Sequence, residues 1–297
     1  MYGDTVILGG SDVNITVVGG DVRYLELVKL LRRDGNAVEA VGFEKAGEAE
    51  VPCEKLKTAC AGADCVVLPA PAFLNNGTVN APLSAEDISV ENIAQSIGGG
   101  TVVFAGGDRG RLKQAGGEDL DVVDYLNLEQ YAVANAMLTA EGAVQVLLNE
   151  TKRSLSGARV LVTGYGRIGK LLCRRLQGMD AYVTASARKQ GDIAMIRAMG
   201  LRGAWTERIE DLDIYDIVIN TVPSPVLGRR ELERAKGDCI FLELASLPGG
   251  IDTAAARELG IKVIAAGGLP GKRAPVTAAE IIRDTIYNIM CEKGKTL

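Results

Sequence analysis

Histidine is absent from all 297 residues of the chain. Imidazole is the usual general base near neutral pH and a common metal ligand, so its absence excludes Ser-His-Asp triads, Cys-His pairs and His-based zinc sites. The six cysteines include no C-x-x-C pair, which favours buried free thiols over disulfides or zinc ligands. We therefore expect no metal site, and any proton transfer must use a carboxylate, Tyr, Lys, Cys or water.

An excess of basic residues is also lacking. Thirty-three Lys and Arg against thirty-eight Asp and Glu give a formal net charge of −5, so no basic field exists to hold a nucleic acid or an anionic membrane. No uninterrupted apolar run approaches the ~20 residues of a membrane span, and residues 1–4 lack the basic-then-apolar order of a secretory signal. We expect a cytoplasmic protein that binds neither nucleic acid nor membrane.

Glycine, by contrast, is abundant, with 36 residues and no low-complexity repeat. Many tight turns between strands and helices are typical of α/β proteins, and 297 residues with 47% hydrophobic content suffice for two domains. The pattern predicts two open parallel-sheet, Rossmann-like α/β domains. The predicted strands of the first are Ile15–Val18, Ala37–Phe43, Asp64–Leu68 and Thr101–Ala105, and those of the second are Arg159–Thr163, Tyr182–Ala185, Ile217–Asn220, Ile240–Leu244 and Lys262–Ala265.

Two helices organise the chain. Helical spacing of apolar residues without proline predicts one long bridging helix, and the segment 277–290 predicts a C-terminal helix that packs back on the first domain. Val6–Gly10 is expected to add an edge strand or a small hairpin, and Trp205 is expected in the core. The predicted domains are 1–127, a flavodoxin- or Rossmann-like substrate domain; 128–152, the bridging helix; 153–276, an NADP-binding Rossmann domain; and 277–297, the returning helix.

The strongest motif is a G-x-G-x-x-G that leaves a predicted strand and opens a helix. Gly164 permits the tight turn, Gly166 lets a diphosphate approach the backbone, and Gly169 lets the helix pack closely on the strand. A purely structural glycine turn is the alternative. The motif predicts a dinucleotide site over Gly164, Tyr165, Gly166, Arg167, Ile168 and Gly169.

The end of the following strand indicates which dinucleotide binds. An NAD site normally has Asp or Glu about 20 residues after the first glycine, to hold the ribose 2′-hydroxyl. Here Ser186, Arg188 and Lys189 occupy that region, and no acid does. Because two cations and a hydroxyl suit a 2′-phosphate, we predict NADP as the cofactor, with an ordinary basic loop as the alternative.

Three later loops follow predicted strands at the carboxyl edge of the second sheet, where ligands of open parallel sheets bind. They are 220–224, 245–250 and 267–272. Each is an equally good candidate for a plain connection between a strand and a helix. The predicted cofactor contacts in these loops are Asn220, Thr221, Val222, Pro223, Ser246, Gly268 and Leu269.

In the first half, the segment Gly20, Asp21, Val22, Arg23 follows a strand end that we expect to face the other domain. Arg23 is a candidate for holding a substrate carboxylate, and Asp21 for orienting Arg23 or accepting a proton. The alternative is an N-cap role for Asp21 with a solvated Arg23.

Glu141 is the other candidate acid, because it lies in an otherwise apolar part of the bridging helix. Partial burial there would raise the pKa of its carboxyl toward the range of a general base. The alternative is a surface acid on the wet side of the helix.

Taken together, these motifs resemble the A-subunit family of bacterial dipicolinate synthases across essentially the whole chain. The glycine fingerprint alone is shared with many dehydrogenases, whereas its combination with the Gly-Gly-Asp-x-Arg opening and the Leu-Pro-Gly closing segment is more specific. The matching stretches are 18–27, 77–79, 139–142, the fingerprint 164–169 with 187–188, 220–223, 245–250 and 268–277.

The resemblance implies NADP-dependent oxidation of dihydrodipicolinate, which derives from 4-hydroxy-tetrahydrodipicolinate of the lysine/diaminopimelate pathway, to dipicolinate. It also implies a homo-oligomer, the cytoplasm of the mother cell in a sporulating bacterium, and a partner in the form of a flavoprotein-like B subunit. Two substrate carboxylates call for cations and N–H donors, and Arg23 is the first candidate. The predicted substrate-binding residues are Gly20, Asp21 and Arg23, with Asn76, Gly77 and Thr78 in a loop that contributes neutral donors. Glu141 and Asp21 compete as the base, and Arg23 completes the catalytic set.

Two alternatives stay open. One is another two-domain NAD(P)-dependent dehydrogenase, although the 2-hydroxyacid and alanine dehydrogenase groups generally rely on a catalytic histidine, which this chain lacks. The other is a non-catalytic NADP-binding scaffold that presents a surface to a partner.

Overall fold

The computed structural model describes residues 13–47, 51–107, 109–210 and 212–295. Val6–Gly10, for which we predicted a strand or hairpin, lies outside them. Within the described residues most strands are followed by an α-helix, as the α/β prediction requires, except that β8 leads to β9 through a short 3-10 helix. The strands are β1 (Asn14–Val18), β2 (Ala37–Val41), β3 (Cys65–Val67), β4 (Val102–Ala105), β5 (Asp121–Asp124), β6 (Arg159–Thr163), β7 (Tyr182–Ala187), β8 (Arg202–Trp205), β9 (Ile217–Asn220), β10 (Ile240–Glu243) and β11 (Val263–Ala265).

The α-helices connect the strands and cover the sheets. Several are short, and the two longest lie before the second sheet and after its last strand. The helices are α1 (Val22–Arg33), α2 (Leu56–Ala61), α3 (Val90–Ser96), α4 (Arg109–Gln114), α5 (Glu129–Glu150), α6 (Arg167–Gln177), α7 (Gln190–Ala198), α8 (Arg229–Leu232), α9 (Thr253–Glu258), α10 (Leu269–Arg273) and α11 (Pro275–Glu292).

The chain divides into two compact units. The first runs to Asn135 and resumes at Ala274, and the second is Ala136–Arg273. The first boundary therefore falls inside α5, and the second falls just before α11. The domain boundaries predicted from the sequence stay predictions.

The first unit contains a five-stranded parallel sheet with the order β2-β1-β3-β4-β5. Helices cover both faces of such a sheet, which explains why β3 and β4 are apolar along their whole length and not alternating. All four residues of β4 are buried, for example. The sequence did not predict β5, because Asp121 and Asp124 at its two ends made it resemble a polar turn.

The last helix, α11, packs against α1 of the first unit, so the predicted return of the C-terminal helix to the first domain is confirmed. Ile282 and Ile286 share a buried core with Leu27 and Leu31 of α1. These aliphatic side chains stabilise the unit by removing apolar surface from water.

Helix α5 is long and apolar enough to cross a membrane by length and mean hydropathy, which the sequence analysis did not anticipate. Half of its most apolar window is buried inside the protein. Buried core helices meet the same criterion, so this helix is weak evidence for a membrane span.

The second unit contains a six-stranded parallel sheet with the order β11-β10-β9-β6-β7-β8. The chain reverses direction across the sheet between β6 and β9, and the loops after these two strands lie side by side. Ligands of doubly wound folds bind at such a switch point.

Strand β8 was not predicted, and the placement of Trp205 in the core was wrong. Trp205 ends this edge strand, and 41% of its surface is exposed. Large aromatic residues favour strands as well as cores, and at a sheet edge one face stays open to solvent.

Candidate functional site

A strained glycine turn joins β6 to α6. Gly164 has a φ of +90°, and a Cβ at this position would lie 2.7 Å from the Thr221 hydroxyl oxygen. A Cβ on Gly169 would lie 2.2 Å from the carbonyl oxygen of Gly164. Only glycine fits at either position, and the helix therefore begins in direct contact with the strand end.

Gly166, in contrast, faces open space. It is the N-cap of α6, its cap carries no side-chain hydrogen bond, and nothing lies within 4 Å of a Cβ built there. The first hydrogen bond that closes on this cap runs from the Lys170 amide to the Gly166 carbonyl. The first turn of α6 therefore begins beside open space at Gly166. This is the geometry that binds a phosphate or diphosphate at a helix N-terminus.

Tyr165 anchors the turn to the core of the second unit. It is buried against the core of the second unit, and the Lys170 ammonium lies 5.5 Å from its ring centroid. Arg167 and Lys170 are exposed, and Ile168 is partly buried against the same core. The motif thus combines a turn that is packed on the protein core with two exposed cationic side chains.

The residues at the end of β7 that were predicted to bind a 2′-phosphate differ in their exposure to solvent. Ser186 is fully buried, and its hydroxyl lies 2.9 Å from the Thr206 hydroxyl and 3.4 Å from the Gly164 amide nitrogen. Arg188 and Lys189 follow the strand and are exposed. Ser186 therefore supports the glycine turn from within, whereas the two cations are accessible.

Lys189 is also the N-cap of α7, and this cap has no side-chain hydrogen bond. The first-turn N–H groups of α7 consequently lie beside the Arg188 and Lys189 cations. Helix N-termini and cations both stabilise an anion at this place.

The loop after β9 is held by its own side chains. The Asn220 oxygen accepts hydrogen bonds from the Thr163 hydroxyl at 2.5 Å and the Val222 amide at 3.1 Å, and its nitrogen donates to the Val222 carbonyl at 2.9 Å. The Thr221 hydroxyl donates to the Thr163 carbonyl at 2.7 Å. Asn220 and Thr221 thus shape the loop, and Pro223 is exposed beside them.

The Glu243 carboxylate anchors two loops at the carboxyl edge of the second sheet. The sequence analysis did not identify this residue. Its carboxylate accepts hydrogen bonds from the Asn220 side chain at 2.7 Å and from the amides of Ala245 at 2.9 Å, Gly250 at 2.9 Å and Ile251 at 3.1 Å. An acid directly after the apolar strand residues Ile240–Leu242 was the available signal, since a carboxylate in such a place needs partners.

The two remaining loops present exposed backbone. Ser246 is exposed, and Leu247 beside it is 94% exposed. Gly268 is exposed with a φ of +68°, whereas Leu269 is buried. A Cβ on Gly142 of α5 would lie 2.9 Å from the Leu269 Cβ, so a glycine in α5 allows α10 to pack closely.

In the first unit, Asp21 and Arg23 form a two-point ion pair after β1. Arg23 Nε lies 2.9 Å from Asp21 Oδ1, and Nη2 lies 3.0 Å from Oδ2 and 3.1 Å from the Ala70 carbonyl. Arg23 is only 9% exposed. Burial opposes the charge on Arg23, but its hydrogen bond to Asp21 and the nearby charges outweigh this effect and raise the pKa of the guanidinium.

Asp21 combines two of the roles considered from the sequence. It is the N-cap of α1, accepting a hydrogen bond from the Arg23 amide at 3.0 Å, and the same carboxylate orients the guanidinium. Arg23 itself is buried, so it is not the solvated residue of the alternative interpretation.

Gly20 brings a second loop to this place. Its φ is +106°, a Cβ there would lie 2.2 Å from Tyr24 Cδ2, and its amide donates to the Asn80 carbonyl at 3.0 Å. The carboxyl ends of β1 and β3 and the segment at Asn80 therefore meet beside Arg23.

The predicted donors Asn76, Gly77 and Thr78 form a tight turn of their own. Asn76 Oδ1 accepts from the Thr78 hydroxyl at 2.8 Å, and Gly77 has a φ of +81°. Gly77 lines a small surface cavity together with Glu91 and Arg111. The structure therefore places the turn beside α3 and α4, and it is Asn80, further along the same loop, that contacts Gly20.

Three tyrosines, also missed by the sequence analysis, lie next to Arg23. The Tyr24 and Tyr125 hydroxyls are 2.5 Å apart, and the Tyr125 hydroxyl donates to the Leu68 carbonyl at 3.0 Å. The Tyr131 ring packs edge-on against Tyr125 at 5.1 Å, and the Arg23 guanidinium lies 5.6 Å from the Tyr24 ring centroid. Burial raises the pKa of all three phenols.

Glu141 lies on an exposed side of α5. Its side chain is 56% exposed, and Oε1 accepts a hydrogen bond from Arg175 Nη2 of α6 at 3.0 Å. The structure thus gives this carboxylate a cationic partner and solvent in place of an apolar pocket.

Comparison with known proteins reproduces the resemblance found in the motifs. Residues 14–126 match the family described as the N-terminal domain of the dipicolinate synthase A subunit. The A subunit of dipicolinate synthase from Bacillus subtilis (strain 168) is 29% identical to the chain, over 95% of this chain and 97% of that protein. The chain is thus similar to the A subunit of dipicolinate synthase over nearly its whole length, so the predicted resemblance is confirmed.

Solved structures extend this family resemblance to both units. The crystal structure of the dipicolinate synthase A subunit from Bacillus halodurans has a TM-score of 0.83 and 28% identity, and covers 95% of this chain and 99% of its own. The transhydrogenase from Sinorhizobium meliloti has a TM-score of 0.65 at 16% identity, over 95% of both chains, and shows a shared fold.

Proposed function

We propose that the protein oxidises dihydrodipicolinate to dipicolinate with NADP as the acceptor. The glycine turn of β6 and α6 is the observation that supports this most strongly. Its open Gly166 and uncapped helix N-terminus fit a dinucleotide diphosphate, and it occurs in a chain that is similar to the dipicolinate synthase A subunit. NADP, when bound, supplies the hydride acceptor.

The preference for NADP over NAD rests on Arg188 and Lys189. Both are exposed at the end of β7, where NAD sites carry an acid, and they lie beside the uncapped start of α7. Two cations and helix N–H groups stabilise a 2′-phosphate through charge-assisted hydrogen bonds. The role of Ser186 in this proposal is indirect, because its hydroxyl is buried against Thr206 and the glycine turn.

The loops at the carboxyl edge of the second sheet would position the nicotinamide. Val222 and Pro223 offer apolar surface, and exposed backbone at Ser246 and Gly268 offers hydrogen bonds to the carboxamide and ribose. Glu243 and Asn220 would fix the shape of these loops. A rigid platform of this kind favours hydride transfer by orienting the reactants.

In the reaction, the substrate ring loses a hydride to NADP and one proton to a base, giving NADPH and aromatic dipicolinate. Aromatisation makes the loss of hydride favourable, so the protein must chiefly align the ring and accept the proton. Arg23 is the proposed cation for a substrate carboxylate. Asp21 and Glu141 are the two candidate bases, and each already has an arginine partner.

We further propose that the chain works in the mother-cell cytoplasm as a homo-oligomer, together with a flavoprotein-like B subunit. The dipicolinate synthase relatives named above are A subunits, which supports a second subunit in the synthase.

The test is an assay of the purified chain, with and without the B subunit, on freshly generated dihydrodipicolinate. Growth of pyridine absorbance coupled one-to-one with NADPH formation is expected. NADP binding without turnover in either sample would favour a nucleotide-binding scaffold. Loss of kcat in either Asp21→Asn or Glu141→Gln, with unchanged NADP affinity, would identify the base.

A further inference from the structure

Tyr131 belongs to the buried tyrosine cluster of the first unit and has one feature that Tyr24 and Tyr125 lack. The Tyr24 and Tyr125 hydroxyls bond to each other, and Tyr125 also bonds to the Leu68 carbonyl. The Tyr131 hydroxyl makes no hydrogen bond to any residue that the structure describes, although the residue is only 2% exposed.

The Tyr131 oxygen nevertheless reaches the accessible surface. Among the described residues, no buried side-chain nitrogen or oxygen lacks a hydrogen-bond partner. An unbonded oxygen must therefore keep some solvent accessibility, and the 2% exposure of Tyr131 shows that the rest of the residue is buried. A donor held in this way loses little conformational entropy when it binds a ligand, because packing has already fixed the ring.

The guanidinium of Arg23 has the same property at one atom. Nε and Nη2 are engaged by Asp21 and the Ala70 carbonyl, whereas Nη1 bonds to none of the described residues. By the same reasoning Nη1 is accessible. The Asp21 pair thus fixes the guanidinium plane and leaves one pair of N–H donors for a ligand.

These two donors belong to one cluster of contacting side chains. The Tyr131 ring contacts Tyr125, Tyr125 bonds to Tyr24, and the Tyr24 ring lies 5.6 Å from the Arg23 guanidinium carbon. Tyr131 also interacts electrostatically with both Arg23 and Asp21. Burial raises the pKa of Tyr131, as does Asp21, and the opposing effect of Arg23 does not cancel the rise. The phenol is therefore neutral near pH 7 and acts as a hydrogen-bond donor.

We propose that the Tyr131 hydroxyl and Arg23 Nη1 together bind one carboxylate of a planar dicarboxylic acid, with Tyr131 as a substrate-binding residue. The inference rests on the proposed function for the identity of that acid. Asp21 neutralises the charge of Arg23, so the attraction for an anion depends on directed donors and not on net charge. A second donor is needed for this reason, and a phenol adds one without adding charge.

Direct binding of pyridine-2,6-dicarboxylate to the full chain, measured by calorimetry without nucleotide, tests the proposal. In Tyr131→Phe the ring still packs on Tyr125, and we expect the dissociation constant to rise about tenfold, as for loss of a hydrogen bond to a charged group. Thermal stability and NADP affinity should stay at wild-type values. Tyr287→Phe is the matched control, because its hydroxyl bonds to Asp34 and Asn36 in the turn that follows α1. It should leave dicarboxylate binding unchanged.

A double-mutant cycle separates shared binding from general disruption. If Tyr131 and Arg23 hold the same carboxylate, the losses in Tyr131→Phe and Arg23→Lys will be smaller in combination than their sum. In turnover, Tyr131→Phe should raise KM for the dicarboxylate about tenfold and change kcat less than about twofold.

Several outcomes would overturn the proposal. An unchanged dissociation constant in Tyr131→Phe would do so, as would an equal loss in Tyr287→Phe or a fall in kcat with normal binding. Absence of dicarboxylate binding in a wild-type chain that binds NADP would remove the carboxylate site and leave the nucleotide site standing. Dicarboxylate binding without any NADP binding would support the Tyr131 site and refute the proposed function.

Discussion

The Glu243 carboxylate lies 2.7 Å from the Asn220 amide nitrogen, and through this contact one acid joins the loop after β9 to the loop after β10. Four donors converge on it. Glu243→Gln keeps the shape but turns an acceptor-only group into one that also donates toward backbone amides. We expect a loss of about 1.5–3 kcal/mol in the free energy of unfolding, with weaker NADP binding. Glu258→Gln, which removes an exposed ion pair with Arg229, should lose less than about 1 kcal/mol in the same denaturation series.

The second and third glycines of the α6 turn, Gly166 and Gly169, should respond differently to alanine. Gly169→Ala forces a Cβ against the Gly164 carbonyl, and we expect a loss of stability of about 1–3 kcal/mol. Gly166→Ala has open space and an ordinary negative φ of −81°, so its melting temperature should match wild type while NADP affinity falls, because the methyl enters the diphosphate region. Equal nucleotide affinity in Gly166→Ala and wild type would contradict a diphosphate at this turn.

Arg188 should determine the preference between the two nucleotides. In Arg188→Ala we expect NADP affinity to fall about tenfold or more, since charge-assisted contacts to the 2′-phosphate are lost, and NAD affinity to stay the same. Arg197→Ala, at the other end of α7, is the control and should change neither. Titration of both nucleotides by calorimetry gives the ratio. Equal affinity of the wild-type protein for NAD and NADP would contradict the proposed role of Arg188.

Asp216 should make the second unit sensitive to acid. A hydrogen bond from Lys236 lowers the pKa of its carboxyl, burial opposes this, and the Arg159 amide and the nearby cations add to the lowering. Below about pH 4 the unfolded chain binds this proton more readily than the folded one, so stability is present above that pH and is lost as the pH falls. Urea denaturation between about pH 3 and pH 5 should show a smaller pH dependence in Asp216→Asn. Identical slopes would contradict the assignment.

Much of the fold was predictable because its signals are local. The strands β6 and β9 have the predicted bounds, since uninterrupted apolar runs in a buried parallel sheet end sharply at glycine or polar residues. The strands β5 and β8 were missed because edge strands need less apolar character, and Asp121 or Arg202 at their starts resembles a loop. Edge pairing depends on the neighbouring strand, which is distant in sequence.

The site was predictable only in part. Spacing identified the glycine turn, because its constraint comes from adjacent residues. The burial of Ser186, the ion pair of Glu141 with Arg175, and the joining of loops by Glu243 each depend on contacts between separate elements. The sequence could not identify Tyr131 as a site residue for the same reason, since only its packing against Tyr125 distinguishes it from an ordinary core aromatic residue.

The packing of α11 on α1 determines the order in which the two units can be completed during synthesis of the chain. Leu27 and Leu31 face a surface that is completed only when Ile282 and Ile286 have been synthesised. The second unit, whose segment is continuous, has all of its residues earlier and can fold first. During translation the second unit is therefore complete before the helix that finishes the first unit has been made.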